Sequence, residues 1–182
     1  MRSFTEIEAL AITAGRAILD VYAAAETRIE TKADTSPLTE ADRRSHVVIV
    51  DGLARLTSRI PVVSEEDEAL GVPSVGGEFW LVDPLDGTKE FIKRTGEFTV
   101  NIALVRDGAP VFGVVHAPVL GISWIGSSDG AWRVAGAARS PLKVAAPVNP
   151  AALRLVASRD HAGPRVSALL ERLPGASTLS MG

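Results

Sequence analysis

The sequence predicts an α+β fold in which two helices pack on a largely antiparallel sheet, followed by the start of a second α/β domain. Near the amino terminus, apolar residues recur at the spacings of three and four that are typical of helices. Short apolar segments separated by Gly-containing turn dipeptides then indicate a meandering sheet. Helices followed by such a sheet favour layered α+β architecture. We predict an N-terminal domain over residues 1–148 and an incomplete second domain over 149–182.

Composition limits the class of protein. The chain has 182 residues, 46% of them hydrophobic, and a formal net charge of −3. This mild charge argues against a nucleic-acid polymer as partner. The lack of cysteine excludes disulfides, thiolate metal sites and a cysteine nucleophile. The three histidines are scattered, so we predict structural roles for them.

The location of the protein is predicted from the absence of two kinds of segment. Charged residues interrupt the first 25 residues, so the sequence shows no signal peptide. No stretch approaches the roughly 18 consecutive apolar residues of a membrane span. We predict a cytoplasmic protein without membrane insertion, and leave peripheral association with a membrane open.

Two helices are predicted in the first 60 residues. One covers about residues 3–25, and a polar segment, 31–36, follows it. Ser36-Pro37 and Thr39 give helix-start signals for the second helix, which places Asp42 in its first turn. The apolar stripes are Phe4, Ile7, Ala11, Ala14, Ile18 and Val21 in the first helix and Ile49, Leu53, Leu56 and Ile60 in the second.

Strands are predicted beyond the second helix. Residues 60–64 form a short buried strand that runs into the acidic segment 65–68, and residues 71–77 form a loop. Residues 79–82 form another buried strand, which ends at Asp83. An antiparallel meander follows. Its strands are residues 98–105, 111–116, 122–125 and 131–134, with turns at Asp107-Gly108, Leu120-Gly121 and Asp129-Gly130.

The last part of the chain is predicted to belong to a second unit. Residues 145–150 contain two prolines and indicate a linker. A strand over 153–157 and a helix over about 162–173 follow it. No internal repeat or low-complexity segment is present.

Carboxylates follow two of the predicted strands. Glu65 and Glu66 come just past one strand, and Asp83 and Asp86 come just past the next. If these strands are neighbours in one sheet, the carboxylates converge, and their mutual repulsion calls for a cation. Mg²⁺ prefers oxygen ligands and takes few carboxylates, and the Leu85 carbonyl is a plausible further ligand.

A candidate phosphate site follows these carboxylates. Gly87-Thr88-Lys89 are predicted to begin a short helix, whose first N–H groups suit an anion. Asp42 could orient the Thr88 hydroxyl, and the pair could activate water for attack on phosphorus. Taken alone, residues 83–88 suit a turn, residues 65–68 a solvated loop and Asp42 a helix start. Taken together at the strand ends, they favour a magnesium-dependent phosphatase.

Three segments of the chain resemble the inositol monophosphatase superfamily. They are Lys32-x-Asp34-x-Ser36-Pro37-Leu38-Thr39-Glu40-Ala41-Asp42, then Val63-Ser64-Glu65-Glu66, then Trp80-Leu81-Val82-Asp83-Pro84-Leu85-Asp86-Gly87-Thr88-Lys89-Glu90-Phe91. The Lys89-Glu90-Phe91 continuation, together with residues 96–104, is similar to the CysQ branch, which consists of 3'(2'),5'-bisphosphate nucleotidases. Inositol monophosphatases proper more often carry Asn-Phe where this chain has Glu90-Phe91. The resemblance runs from about residue 5 to the last residue.

The resemblance implies a fold, a reaction and roles for individual residues. It implies the layered inositol monophosphatase-like fold and a hydrolase that removes the 3'-phosphate of adenosine 3',5'-bisphosphate, a by-product of sulfate assimilation, to give AMP and phosphate. Two or three Mg²⁺ ions would activate the attacking water, and lithium would inhibit. The implied metal ligands are Glu65, Asp83, Asp86 and the Leu85 carbonyl; the catalytic residues are Asp42, Glu65 and Thr88; and the substrate contacts are Glu65, Leu85, Gly87, Thr88 and Lys89. Glu66 would support the outer shell of the metal site.

The chain departs from the family pattern at its end. Family members continue into a second domain with a Trp-Asp motif, so the resemblance implies a C-terminally truncated chain. Weak binding of a second metal and an exposed apolar surface that could support a homodimer are then expected. One alternative function is an inositol monophosphatase or another phosphatase of small sugar phosphates. Another alternative is an inactive, metal-binding fragment.

Overall fold

The computed structural model describes residues 4–23, 29–31, 37–67, 77–144, 153–158, 164–173 and 175–181. Contacts divide the chain into two compact units, Met1–Leu142 and Lys143–Gly182. The predicted linker over 145–150 and the predicted domain boundary after residue 148 lie outside the described residues, so the boundary stays a prediction. The predicted features at Lys32, Asp34, Ser36, Glu68 and His161 lie outside them as well.

The part of the first unit that the structure describes has three helices, and they match the predicted positions. They are α1 (Phe4–Ala23), α2 (Glu40–Leu56) and the short α3 (Thr88–Ile92). Helix α2 ends four residues before Ile60, because the chain turns there, with the Ile60 N–H donating to the Thr57 carbonyl at 2.8 Å. None of the described helices is long and apolar enough to cross a membrane.

The described residues of the first unit form nine strands in two sheets. They are β1 (Ile29–Thr31), β2 (Pro37–Thr39), β3 (Val62–Ser64), β4 (Glu78–Asp86), β5 (Thr99–Arg106), β6 (Ala109–Ala117), β7 (Ile122–Ser127), β8 (Gly130–Ala135) and β9 (Ala138–Leu142). Strands β1 and β2 form a small antiparallel pair, and the other seven form one sheet in sequence order. Only β3 pairs in parallel, with β4; every other neighbour in the large sheet is antiparallel.

This architecture confirms the predicted α+β fold class and the meander. It also meets the condition stated for the carboxylates, because β3 and β4 are neighbours in one sheet. Two features were not predicted. Strand β9 is fully exposed, so its sequence has no apolar alternation. Strands β1 and β2 are three residues long, too short for a period of two to be recognised.

Helices α1 and α2 cover one face of the large sheet. Ile18, Ile49 and Leu53 are fully buried between the helices and the strands, together with the sheet residues Val100 and Ile102. The other face carries Leu81, Asp83, Asn101 and Val115, and we call it the second face. Leu81 and Val115 are 48% and 39% exposed there. The core therefore lies between the helices and one face of the sheet, and the second face is the more open one.

One boundary was predicted wrongly, and it bears on the site. The strand expected to end at Asp83 continues to Asp86, so both aspartates lie within β4 rather than past its end. The pairing with β5 shifts register between Asp83 and Asp86, which marks a β-bulge. Proline suits such a position because it has no N–H to give to a ladder, and Pro84 lies inside the shifted segment.

The histidines of the described part have structural contacts. His46 Nδ1 lies 2.9 Å from Ser64 Oγ, and His116 Nδ1 lies 3.0 Å from Ser123 Oγ. Burial lowers the pKa of His116. Each ring therefore ties its own element to a neighbouring strand.

The second unit is a small βαβ arrangement. Strands β10 (Arg154–Ser158) and β11 (Ser177–Met181) pair in parallel, with helix α4 (Pro164–Arg172) between them in sequence. The strand over 153–157 and the helix over 162–173 were predicted at these positions. No described residue of α4 is buried.

Candidate active site

The bulge in β4 brings Asp83 and Asp86 to the same face of the sheet. In a regular strand, side chains three residues apart point to opposite faces. Asp83 pairs with Asn101 and Asp86 with Thr99, so three steps along β4 match two steps along β5. Pro84 and Leu85, which share the extra position, are both buried, whereas Asp83 is half-buried and Asp86 is exposed. The two carboxylates therefore share the second face.

Glu65 reaches the same region from the neighbouring strand. Its N–H donates to the Val82 carbonyl at 3.0 Å, one residue before Asp83. The turn that carries Glu65 is closed by two hydrogen bonds: the Ser64 N–H donates to Asp67 Oδ2, and the Asp67 N–H donates to the Ser64 carbonyl, each at 3.1 Å. His46 on α2 contacts the same serine. Helix α2 thus holds the turn that presents Glu65.

Crowding of these carboxylates is strongest at Asp83. Burial is the largest cause, and the carboxylates of Glu65 and Asp86 are the next; together they raise the pKa of Asp83 to about 7. Glu65 and Asp83 also share a side-chain hydrogen bond, and the Leu85 backbone has a bond to Asp83 that opposes the shift. Three acidic side chains are therefore concentrated at one place, which favours a bound proton or a bound cation.

The residues fit a divalent cation. Asp83 Oδ1 is buried and has no hydrogen-bond partner among the described residues, so one carboxylate oxygen is available for a ligand. Within the same part of the chain, no group of three or more His, Cys, Asp or Glu side chains could hold a metal ion by itself. A cation at Asp83 would complete its shell with carbonyl, water or substrate oxygens, as Mg²⁺ usually does. The assignment of Glu65, Asp83, Leu85 and Asp86 as metal ligands stays a prediction.

Helix α2 fixes the bulge from the other side of the sheet. Ser45 is fully buried, and its hydroxyl donates to the Pro84 carbonyl at 2.7 Å. Asp42 lies one turn earlier on the same face of α2 and is only 2% exposed. The Thr88 hydroxyl donates to the Leu85 carbonyl at 3.2 Å. The predicted pairing of Asp42 with Thr88 stays a prediction.

Gly87 shapes the start of α3. Its φ of 96° and ψ of 40° lie in the left-handed region. A Cβ atom at this position would lie 2.8 Å from the Glu97 carbonyl oxygen and 3.2 Å from Phe98 Cα. The residue before the first turn of α3 is Gly87 itself, which has no side chain to cap the helix. Only glycine therefore fits this turn, and Lys89 is exposed beside it.

Asn101 also belongs to this region, although it was not among the predicted site residues because its side chain is uncharged. Its amide lies on β5 beside Asp83 and donates to Asp86 Oδ2 at 3.1 Å. The sequence feature that could have revealed Asn101 is Pro84, because a proline inside an apolar strand indicates a bulge. A bulge at Pro84 would have placed Asp86 on the same face of the sheet as Asn101, the strand partner of Asp83.

The chain matches the family model described as "Inositol monophosphatase family" over residues 1–177. It is 46% identical over 175 residues to the 3'(2'),5'-bisphosphate nucleotidase CysQ of Escherichia coli O157:H7. It is also 46% identical to the protein of the same name from Salmonella typhimurium. Each match covers 95% of this chain and 70% of the relative.

Solved structures support the same relationship. The crystal structure of CysQ from Bacteroides thetaiotaomicron, a bacterial member of the inositol monophosphatase family, superposes with a TM-score of 0.78 at 36% identity. That match covers 95% of this chain and 70% of the other. The extragenic suppressor protein SuhB from Bartonella henselae has a TM-score of 0.80 at 22% identity, which shows a shared fold.

Proposed function

The chain belongs to the inositol monophosphatase family, and we propose that it is a 3'(2'),5'-bisphosphate nucleotidase. Its reaction is the hydrolysis of adenosine 3',5'-bisphosphate to AMP and inorganic phosphate, with Mg²⁺ as the metal. The observation that carries the proposal is the grouping of Glu65, Asp83 and Asp86 next to the Gly87 turn, in a chain 46% identical to a nucleotidase of that name.

Charge explains how the site would hold the metal and the phosphate together. Asp83 Oδ1 would bind the cation, and the carboxylates of Glu65 and Asp86 would supply negative charge around it, with the Leu85 carbonyl, water or substrate oxygens completing the shell. The uncapped first turn of α3 would bind the phosphate through the N–H groups at Thr88 and Lys89. When bound, Mg²⁺ supplies a positive charge that polarises the phosphoryl group and makes a nearby water molecule more acidic.

Thr88 and Asp42 would handle the proton of the attacking water. In this proposal the Thr88 hydroxyl accepts a proton from the water as the oxygen attacks phosphorus, and passes its own proton to Asp42. The P–O3' bond breaks on the opposite side, and the leaving 3'-oxygen takes up a proton from a second, solvent water molecule. The position of Asp42 supports this role, because it is only 2% exposed and lies one turn before Ser45, the residue that contacts the bulge.

Phosphate release from adenosine 3',5'-bisphosphate in the presence of Mg²⁺ tests the proposal. We expect Asp83→Asn to lower kcat by at least about 100-fold, because it removes a charge on which the metal depends. Asp51→Asn, an exposed carboxylate elsewhere on α2, is the matched control and should leave the rate unchanged. Hydrolysis that is undetectable, or that survives Asp83→Asn, would refute the proposal.

Substrate preference is measured in the same assay. We expect the ratio kcat/KM to be higher for adenosine 3',5'-bisphosphate than for inositol 1-phosphate. The reverse order would instead favour the alternative function, a phosphatase of small sugar phosphates.

A further inference from the structure

Asn101 lies in the middle of a chain of side-chain hydrogen bonds that crosses from β5 to β4. Its Nδ2 donates to Asp86 Oδ2 at 3.1 Å, and its Oδ1 accepts from the Thr99 hydroxyl at 3.1 Å. A side-chain amide has distinct donor and acceptor ends. The Asp86 carboxylate can only accept, so it binds the Nδ2 end of the amide, and the Thr99 hydroxyl holds the Oδ1 end.

The bulge gives this chain its geometry. Asn101 is the strand partner of Asp83, and Thr99 is the partner of Asp86. The side chain of Asn101 consequently spans the step between the two aspartates on the second face. It also lines a cavity of about 450 Å³ together with Glu65 and Asp83. Asn101 is thus close to all three carboxylates of the candidate metal site, but it contributes no charge to them.

A neutral donor has a specific advantage at this position. A hydrogen bond to a carboxylate favours its charged form and restricts its rotation. A lysine or arginine here would do the same but would also compete with a metal ion for the negative charge. With Oδ2 of Asp86 bound to Asn101, Oδ1 is the oxygen that would bind a cation.

We propose that Asn101 is a positioning residue, which holds the Asp86 carboxylate through the Thr99–Asn101–Asp86 chain in the orientation that binds a divalent cation. The inference rests on the metal site of the proposed function. The two bonds contribute little to folding, because they join partly exposed side chains and the β4–β5 ladder already holds both strands. The effect of Asn101 should therefore appear in metal affinity.

Calorimetric titration of the full chain with Mg²⁺, in the absence of substrate, tests this role. We expect Asn101→Ala to weaken Mg²⁺ binding by about 10- to 100-fold, the usual effect of removing a partner of a metal ligand. Thr99→Val should weaken it less, because the bond from Asn101 to Asp86 remains and only the bond that steadies the other end of the amide is lost. Thr99→Ser keeps the hydroxyl and should restore the affinity of the unaltered chain.

Two controls separate positioning from a general effect on folding. Ser127→Ala removes a single exposed bond on β7, in which Ser127 Oγ accepts from the Asp129 N–H, and should leave Mg²⁺ affinity unchanged. The thermal midpoint of metal-free Asn101→Ala should stay within a few degrees of that of the unaltered chain. An unchanged Mg²⁺ affinity in Asn101→Ala, with or without a lower midpoint, overturns the proposal.

A double-mutant cycle tests whether Asn101 acts through Asp86. In an Asp86→Asn background, Asn101→Ala should cause no further loss of Mg²⁺ affinity. A full additional loss would show that Asn101 acts elsewhere, and undetectable Mg²⁺ binding by the unaltered chain would overturn the inference. If Mg²⁺ binding follows these expectations but no bisphosphate is hydrolysed, the positioning role stands and the proposed function fails.

Discussion

Asp83 is a single residue that lowers the stability of the metal-free fold and also provides a site for a ligand. Its carboxylate is half-buried beside two others, and burial together with Glu65 and Asp86 raises its pKa to about 7. Without a cation, the folded chain therefore holds a proton on this group at pH values where the unfolded chain has lost it. Folding stability must then fall as the pH rises from about 4 to about 7, and the penalty is complete above 7.

Replacement of Asp83 should reveal this penalty. We expect metal-free Asp83→Asn to be more stable than the unaltered chain by about 1–2 kcal/mol at pH 8, because asparagine has no charge to bury and solvent screens part of the repulsion. The difference should shrink toward pH 4. Urea unfolding at both pH values, with a chelator present, measures it. An equal difference at the two pH values would contradict the assigned pKa.

Gly87 is a second residue whose identity the geometry dictates. Gly87→Ala would combine a positive φ with a Cβ atom 2.8 Å from the Glu97 carbonyl oxygen. We expect a loss of about 2–4 kcal/mol in the free energy of unfolding, together with a higher KM, because the turn before α3 must move. Chemical denaturation and steady-state kinetics measure the two effects.

Gly108 provides the matched control for this substitution. Its φ of 77° is also positive, but a Cβ atom there would meet nothing within 4 Å. Gly108→Ala should therefore cost only about 1 kcal/mol of backbone strain and leave KM unchanged. A similar loss in both variants would show that φ alone, and not the contact with residue 97, requires glycine at Gly87.

At the scale of elements, the site depends on the bulge in β4 and on the helix that holds it. The sequence predicted both neighbouring strands, the turn at Gly87 and the approach of Glu65 to Asp83. The same sequence predicted that the aspartates follow the end of their strand, because the apolar residues that indicate a strand stop at Asp83. The extra residue in β4 is set by pairing with β5, which is a non-local contact. The spacing of residues along one segment does not reveal such a contact, and only Pro84 indicates the bulge in this sequence.

The bond from Ser45 to the bulge can be removed without altering a charged residue. Ser45→Ala would leave the buried Pro84 carbonyl without the donor that lies 2.7 Å away. We expect a loss of about 1–3 kcal/mol in unfolding free energy and a lower kcat, because Asp83 and Asp86 flank this carbonyl. Thermal unfolding and phosphate release are the measurements.

A similar bond on α1 is the control for Ser45. The Thr13 hydroxyl donates to the Ala9 carbonyl at 2.8 Å, but at an exposed position. Thr13→Ala should change stability by less than about 0.5 kcal/mol and leave kcat unaltered. If Ser45→Ala and Thr13→Ala changed the unfolding free energy and kcat equally, burial of the Ser45 bond would make no difference to its contribution.

At the scale of the whole molecule, the predicted fold class held because periodicity is strongest where burial is deepest. Helix α1 and strands β4 to β7 supply most of the buried side chains, and each was predicted from its apolar residues. Strands β1, β2 and β9 were missed because short or fully exposed elements leave no such pattern. The expected exposed apolar surface and the homodimer that it could support both stay predictions.

The two compact units should differ in local stability. Strands β5 and β6 contribute Val100, Ile102 and Val114 to the core, each at most 1% exposed. In the second unit, α4 has no buried residue, and Val156 and Leu179 are 68% and 50% exposed. Free energies of local opening rise with the apolar contacts that must be broken.

Amides of β10 and β11 should therefore exchange with deuterium at least about 100-fold faster than those of β5 and β6, after correction for intrinsic rates. Mass spectrometry of peptides from the four strands measures the ratio. Equal protection in both units would mean that the chain opens only as a whole, and that the units are not independent in stability.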